Sequence, residues 1–288
     1  MLKQRILSAL ILIAAVFAAL FLFSPYYFAL TLGIVVILAF WEWTQFIRFK
    51  QSVWRFVATA IAATFLFLLL YSQNDYLNAG RVFRTYAEPL LLTGVIWWTA
   101  ALMLVVSYPK SAALWRHSLL LQIIFAFFSL VPFLIAVLQL RLNQYVQNPH
   151  QGIILLLYVF ILVWAADSGA YFAGRRFGKH KLAPKVSPGK TWQGVVGGLV
   201  TACIFAFIFI QTLGEALFSV NSPLSLILLS VATVAVSILG DLTESMFKRE
   251  SGIKDSGRLI PGHGGVLDRI DSLTAAVPFF AYFYFFVL

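Results

Sequence analysis

The stretch Gly240–Asp271, GDLTESMFKRESGIKDSGRLIPGHGGVLDRID, decides how the rest of the chain is read. It holds Asp241, Glu244, Glu250, Asp255, Asp268 and Asp271, six of the eleven acidic residues in 288, and five of the twenty-one Lys and Arg. Apolar runs flank it on both sides. A chain that is elsewhere lipid-like thus gathers carboxylates, cations and Gly257, Gly262, Gly264 and Gly265 in one short segment. Ionisable groups at a hydrocarbon boundary are costly, so such a segment is where chemistry is expected.

Outward from this stretch the composition sets the fold class. Hydrophobic residues make up 61% of the chain, charged residues 11%, and mean hydropathy is +0.89, whereas a soluble domain is about a quarter charged. The expected fold is all-α: a polytopic integral membrane protein with about nine transmembrane helices, at 6–23, 26–40, 56–71, 90–107, 119–140, 153–173, 194–213, 223–242 and 272–288. The first run is longer than the apolar region of a signal peptide and reads as a retained helix. Trp41-Glu42-Trp43 reads as an interfacial aromatic anchor. The single Cys203 excludes an intrachain disulfide.

A net charge of +10 and a pI near 9.8 would suit nucleic acid, but cytoplasmic loops beside anionic lipid account for it, and no nucleic-acid partner is expected. With these spans, 18 Lys and Arg fall on the side of the N-terminus and only Arg81, Arg84 and Arg141 on the other. The positive-inside rule then makes the N-terminus and the basic loops cytoplasmic and the C-terminus external. Residues 1–150 carry almost no intramembrane charge and read as scaffold and candidate subunit interface, with a homodimer expected. Residues 151–288 hold the polar loops.

Three acidic sites converge on that cytoplasmic face: Asp167 near the end of the sixth span, Asp241 at the end of the eighth, and Asp268 with Asp271 before the ninth. If the eighth helix runs past the membrane, Asp241, Glu244, Ser245 and Lys248 fall on one face at i, i+3, i+4 and i+7. Clustered carboxylates repel unless a cation sits among them, and an oxygen-only donor set suits Mg²⁺ rather than zinc. Asp271, before Ser272-Leu273-Thr274, also suits a helix cap. Lys248, Arg249, Lys254 and Arg258 add anion-binding capacity, which together with a metal and open glycine N–H groups is the inventory for a polyphosphate.

A second basic stretch precedes it. Arg175, Arg176, Lys179 and Lys181 read as a loop attracting anionic lipid. Gly189-Lys190-Thr191 imitates a phosphate-binding P-loop but fails, because Pro184 stands where that motif needs Gly. What remains is a rigid turn presenting Ser187, Lys190 and Thr191 to phosphate.

The run Ser245-x-Phe247-Lys248-Arg249-x4-Lys254-Asp255-x-Gly257-x2-Ile260-Pro261-x-His263-Gly264-Gly265-Val266-x-Asp268-Arg269-Ile270-Asp271 resembles the signature of the phosphatidate cytidylyltransferases, also called CDP-diacylglycerol synthases. Asp167-Ser168-Gly169-Ala170-Tyr171, Ser187-Pro188-Gly189-Lys190-Thr191 and Gly240–Ser245 resemble that family's other polar blocks, so the resemblance covers about 164–288. It implies transfer of the cytidylyl group of CTP to phosphatidate, giving CDP-diacylglycerol and pyrophosphate, with Mg²⁺ alone or beside a second cation. It further implies Asp241, Asp268 and Asp271 as metal ligands. Asp167, Lys248, Arg249, Lys254, Asp255, His263 and Asp271 are the implied catalytic set, and Ser187, Lys190, Thr191, Lys248 and Arg249 the phosphate contacts. His263 suits either a phosphate donor or a packing role. Cytosolic CTP and membrane phosphatidate would meet at the cytoplasmic side of the plasma (inner) membrane. An ion transporter would instead place acids near the midplane, and a CDP-alcohol phosphotransferase would carry D-G-x2-A-R, which is missing.

Overall fold

The computed structural model describes residues 2–47, 51–81, 84–214 and 222–288. Arg48 and Lys50, and the side chains of Lys3, Arg5 and Arg84, all counted in the charge asymmetry, lie outside what is described. The helices are α1 (Leu2–Leu22), α2 (Pro25–Trp43), α3 (Ser52–Ser72), α4 (Asn74–Asn78), α5 (Arg84–Val106), α6 (Ala112–Trp115), α7 (Leu119–Arg141) and α8 (Pro149–Phe177). An antiparallel hairpin follows, β1 (Lys181–Ala183) and β2 (Ser187–Thr191), with Lys181 opposite Thr191 and Ala183 opposite Ser187. The chain ends with α9 (Trp192–Phe209), α10 (Pro223–Ser251) and α11 (Leu267–Phe286).

This is an all-α polytopic membrane protein. Seven described helices are long and apolar enough to cross a membrane, fewer than the nine spans read from the sequence. The apolar part of the first, Ile6–Leu22, is shorter, and α11 carries Asp268, Arg269 and Asp271 in its opening turns.

Local chemistry sets the helix ends. Pro149 and Pro223 open α8 and α10 at positions that need no N–H, and the Asn148 and Ser222 side chains accept the first free amides at 3.1 and 3.2 Å. No Gly or Pro interrupts the sequence from Asp241 to Ser251, so α10 continues past the expected end at 242 until Gly252 closes it at φ +70°. A 29-residue helix spans about 43 Å, more than the ~30 Å hydrocarbon thickness. The surplus lifts the Asp241–Lys248 face to one end of the bundle.

The helix α11 is central, packing on α10, α7, α5, α8 and α2. Phe247 fixes the extension of α10 from its other face. It is fully buried, with ring centroids 5.1 Å from Trp43, 4.8 Å from Trp115 and 6.0 Å from Phe125, so α2, α6 and α7 all hold it.

Candidate active site

The site is assembled where α10 and α11 touch. A side chain at Gly240 would collide with the backbone of Asp271 and Ser272, so only glycine lets the two helices approach there. That contact brings Asp241 and Asp271 together as electrostatic neighbours, with Glu244 beside Asp271 and Asp268. Asp167, from α8, faces Lys190 and Asp241.

Two lysines thread this acidic cluster. Lys190, at the end of the hairpin, donates to Asp241 at 2.7 Å. Lys248 bridges Glu244 at 2.6 Å and Asp268 at 2.8 Å. The face predicted from spacing is present: Ser245 Oγ donates to Asp241 four residues earlier (3.2 Å), as Lys248 does to Glu244. Five carboxyl groups face two ammonium groups in this cluster.

Asp268 is held on every side. Its Oδ1 accepts Lys248, and its Oδ2 accepts the backbone N–H of Ser256 (2.9 Å) and Gly265 (2.8 Å). Burial alone would raise this carboxyl, but the Lys248 ammonium and the two amides outweigh it and hold it below the usual carboxylate range. Gly264 makes this possible, with φ +85° and no Cβ where Asp268 Oδ2 lies. Among the described residues no group of three or more His, Cys, Asp or Glu side chains is preassembled for a metal. Asp241 and Asp268 are instead engaged by Lys190 and Lys248.

The other predicted residues separate into two groups. Lys254, Asp255, Arg258, His263 and Arg269 line a neighbouring cavity of about 620 Å³, and Gly264 is part of its wall. Ser187 and Thr191 belong to the hairpin, and Arg249 reaches it from α10. Arg249 Nε donates to Val186 O at 3.1 Å, fastening the hairpin turn to α10. Thr191 is buried, and its hydroxyl accepts Gly194 N–H at 3.2 Å as the cap of α9. His263 Nδ1 lies 2.7 Å from Ser8 Oγ, so the packing reading of this residue has a partner in α1. Arg175, Arg176, Lys179 and Lys181 are exposed.

Two readings of the sequence are corrected here. Asp271 is not a helix cap, because α11 begins four residues earlier, at Leu267. Trp41-Glu42-Trp43 is not an interfacial anchor as a unit: Glu42 and Trp43 are buried, 1% and 3% exposed, inside α2. Glu42 instead reaches the signature loop. The available signal was a carboxylate at the end of an apolar run with no neighbouring cation before Arg48.

Fold and site together define an integral membrane protein whose polar centre, at one end of a helix bundle, suits phosphate-bearing substrates. The profile of the cytidylyltransferase family matches residues 3–287, and the chain belongs to that family. It is 65% identical to the phosphatidate cytidylyltransferase of Haemophilus influenzae over 288 residues, 100% of both chains. With that of Pseudomonas aeruginosa it shares 43% identity over 293 residues, 98% of this chain and 96% of the relative. The phosphatidate cytidylyltransferase of Bacillus subtilis is 42% identical over 142 residues, 48% of each chain. The family match therefore takes in the first 160 residues, beyond the 164–288 in which the polar motifs lie.

Proposed function

We propose that this protein transfers the cytidylyl group of CTP to phosphatidate, releasing pyrophosphate and forming CDP-diacylglycerol. The observation that carries the proposal is the pairing of a cation-lined cavity with the lysine-threaded acidic cluster across Gly264. The names borne by its full-length relatives supply the substrates. A cavity of about 620 Å³ is in the range of small-molecule sites, and Lys254, Arg258 and Arg269 give it the charge for a triphosphate.

In the reaction an oxygen of the phosphatidate phosphate attacks the α-phosphorus of CTP. The bond from that phosphorus to the oxygen bridging the β-phosphate breaks, and pyrophosphate leaves. A phosphate monoester dianion is already nucleophilic, so the protein's task is to hold two anions together and stabilise the departing charge. In this reading Lys190 and Lys248 hold the phosphates beside the acids, while Lys254 and its cavity neighbours take the leaving group. Arg249 serves the hairpin that carries Ser187 and Lys190.

The donor set fits Mg²⁺: the acidic side chains gathered here offer oxygen ligands only. Asp241, Asp268 and Asp271 would hold it, with Asp167 and Glu244 adjacent, alone or beside a second cation. When bound, the metal supplies positive charge to the α-phosphoryl and pyrophosphate oxygens. The test is CTP-dependent formation of CDP-diacylglycerol by the purified protein in detergent, with and without EDTA. Product that requires CTP and phosphatidate and vanishes with EDTA is expected. Turnover untouched by EDTA would remove the metal from the proposal, and no product at all would remove the activity.

The proposal extends to the setting of the reaction. The protein is integral to the plasma (inner) membrane as a homodimer, with residues 1–150 as scaffold and subunit interface and 151–288 carrying the site on the cytoplasmic side. The cation asymmetry supports this orientation. In a Cys203→Ala background, Lys110→Cys and Lys190→Cys should resist a membrane-impermeant thiol reagent in intact cells, while Arg81→Cys and Leu288→Cys should react. External labelling at position 190 would overturn the orientation.

A further inference from the structure

We infer that Glu42, on α2, is a positioning residue for cytidylyl transfer: it seats the N-terminus of α11 and, through Ser256, fixes the Asp268 carboxylate. This rests on the activity proposed above and reaches into the half of the chain read as scaffold.

The carboxylate of Glu42 is spent on one small region. Its Oε1 accepts the N–H of Val266 at 3.0 Å, and its Oε2 accepts the N–H of Leu267 at 2.8 Å and the hydroxyl of Ser256 at 3.1 Å. Leu267 is the first residue of α11. Glu42 therefore satisfies amides that a helix start leaves unpaired, and it lies at the positive end of the helix dipole. Among the described residues no salt bridge reaches it. Its partners are two amides and a hydroxyl.

The same contacts lead to Asp268. Ser256 is fully buried; its hydroxyl also lies 3.3 Å from the backbone N–H of Asp268, and its own N–H donates to Asp268 Oδ2 at 2.9 Å. Gln45, one turn past Glu42, donates to Ser256 O at 2.6 Å. Glu42 near the end of α2 and Gln45 just beyond it thus hold the serine that holds Asp268. The space is shaped for this carboxylate, because a Cβ at Gly257 or at Gly265 would overlap Glu42 itself.

The arrangement differs from ordinary packing in what it controls. Asp268 is adjacent to Leu267, receives Lys248 on its other oxygen, and shares α11 with Asp271. A displacement of the α11 start moves both aspartates relative to Asp241 on α10. In Glu42→Gln the side-chain NH₂ confronts N–H donors, so the loop must shift, and a shift near 1 Å in a positioned site costs on the order of a hundredfold in rate.

The experiment compares wild type, Glu42→Gln, Ser256→Ala and the double variant, full-length in detergent, by kcat, KM for CTP and melting temperature. We expect kcat per folded molecule to fall about a hundredfold in Glu42→Gln and about tenfold in Ser256→Ala, with KM for CTP within about threefold. The double variant should be no slower than Glu42→Gln, since both act through one contact path. A purely structural residue would lower melting temperature, leave kcat per folded molecule unchanged and combine additively with Ser256→Ala. A folded Glu42→Gln with kcat within twofold of wild type overturns the inference. If Glu42→Gln fails to fold, Ser256→Ala at wild-type kcat overturns it as well. Absence of turnover in wild type would overturn both this inference and the activity it rests on, whereas normal wild-type turnover with unimpaired variants overturns the inference alone.

Discussion

Asp241→Asn is expected to give a folded protein that turns over roughly a thousandfold more slowly, a loss of about 4 kcal/mol in transition-state stabilisation. Asn keeps the size of Asp and most of its hydrogen-bonding capacity, so the change isolates charge from packing. Asp241 receives Lys190 at 2.7 Å on Oδ2 and Ser245 at 3.2 Å on Oδ1; the amide oxygen of Asn can still accept Lys190, and its NH₂ can donate to the Ser245 hydroxyl, which then turns to accept. Asp268→Asn should slow turnover as much and should also destabilise the loop. Its amide NH₂ would have to face Lys248 or the Ser256 and Gly265 amides, and a buried donor left without an acceptor costs about 1–3 kcal/mol. Asp271→Asn belongs with these two, because its position inside α11 removes the capping role that would have made it mild. A Mg²⁺ titration of all three variants, with detergent size-exclusion as the folding check, reads the outcome. Near-wild-type turnover and unaltered Mg²⁺ dependence in Asp241→Asn or Asp268→Asn would require the metal to be moved to other acids.

Lys248→Ala is expected to be the most damaging of the cation replacements. Its ammonium lies between Glu244 and Asp268, and Glu244 is 3% exposed. Removing it leaves a buried carboxylate without its counter-charge, a change that typically costs about 3–5 kcal/mol, and takes a cation from a site that must offset a triphosphate. Lower yield of folded protein and a fall in kcat/KM for CTP of roughly a hundredfold or more should appear together. Lys190→Ala removes a more open pair, so screening limits its effect on stability, and its loss should show mainly in the handling of CTP. Unchanged CTP affinity and turnover in either variant would leave that lysine a structural or lipid-facing residue.

How far these residues could be read from sequence depended on whether their partners were local. The face Asp241-Glu244-Ser245-Lys248 was legible because helical spacing alone brings i and i+4 together, and the uninterrupted run to Gly252 fixes the length of α10. The motif around Asp268 was legible from its dense, fixed pattern of polar residues. The hairpin Lys181–Thr191 was seen only as a rigid turn, since its strands are three and five residues long and its anchor, Arg249, lies 63 positions from Val186. Thr191 suits phosphate in the motif because a hydroxyl follows Gly-Lys; that the same hydroxyl also accepts the Gly194 N–H as the cap of α9 is a contact the motif does not show. Glu42 was missed for the same reason on a larger scale. Its acceptors are satisfied more than 200 positions away, and two flanking tryptophans offered a local explanation that was sufficient and incorrect. The span count shows the opposite limit: α11 was recognised from its apolar end, but its charged opening turns belong to the site rather than to lipid.

Cytidylyl transfer is tested by following the phosphorus atoms of CTP. Purified protein in detergent is given phosphatidate with CTP labelled either at the α- or at the γ-phosphate, and the lipid and aqueous phases are separated. Cytidylyl transfer puts α-label in the lipid phase as CDP-diacylglycerol and leaves γ-label in water as pyrophosphate, one for each lipid product formed. Transfer of γ-label to lipid, or α-label that enters lipid without phosphatidate, would contradict it.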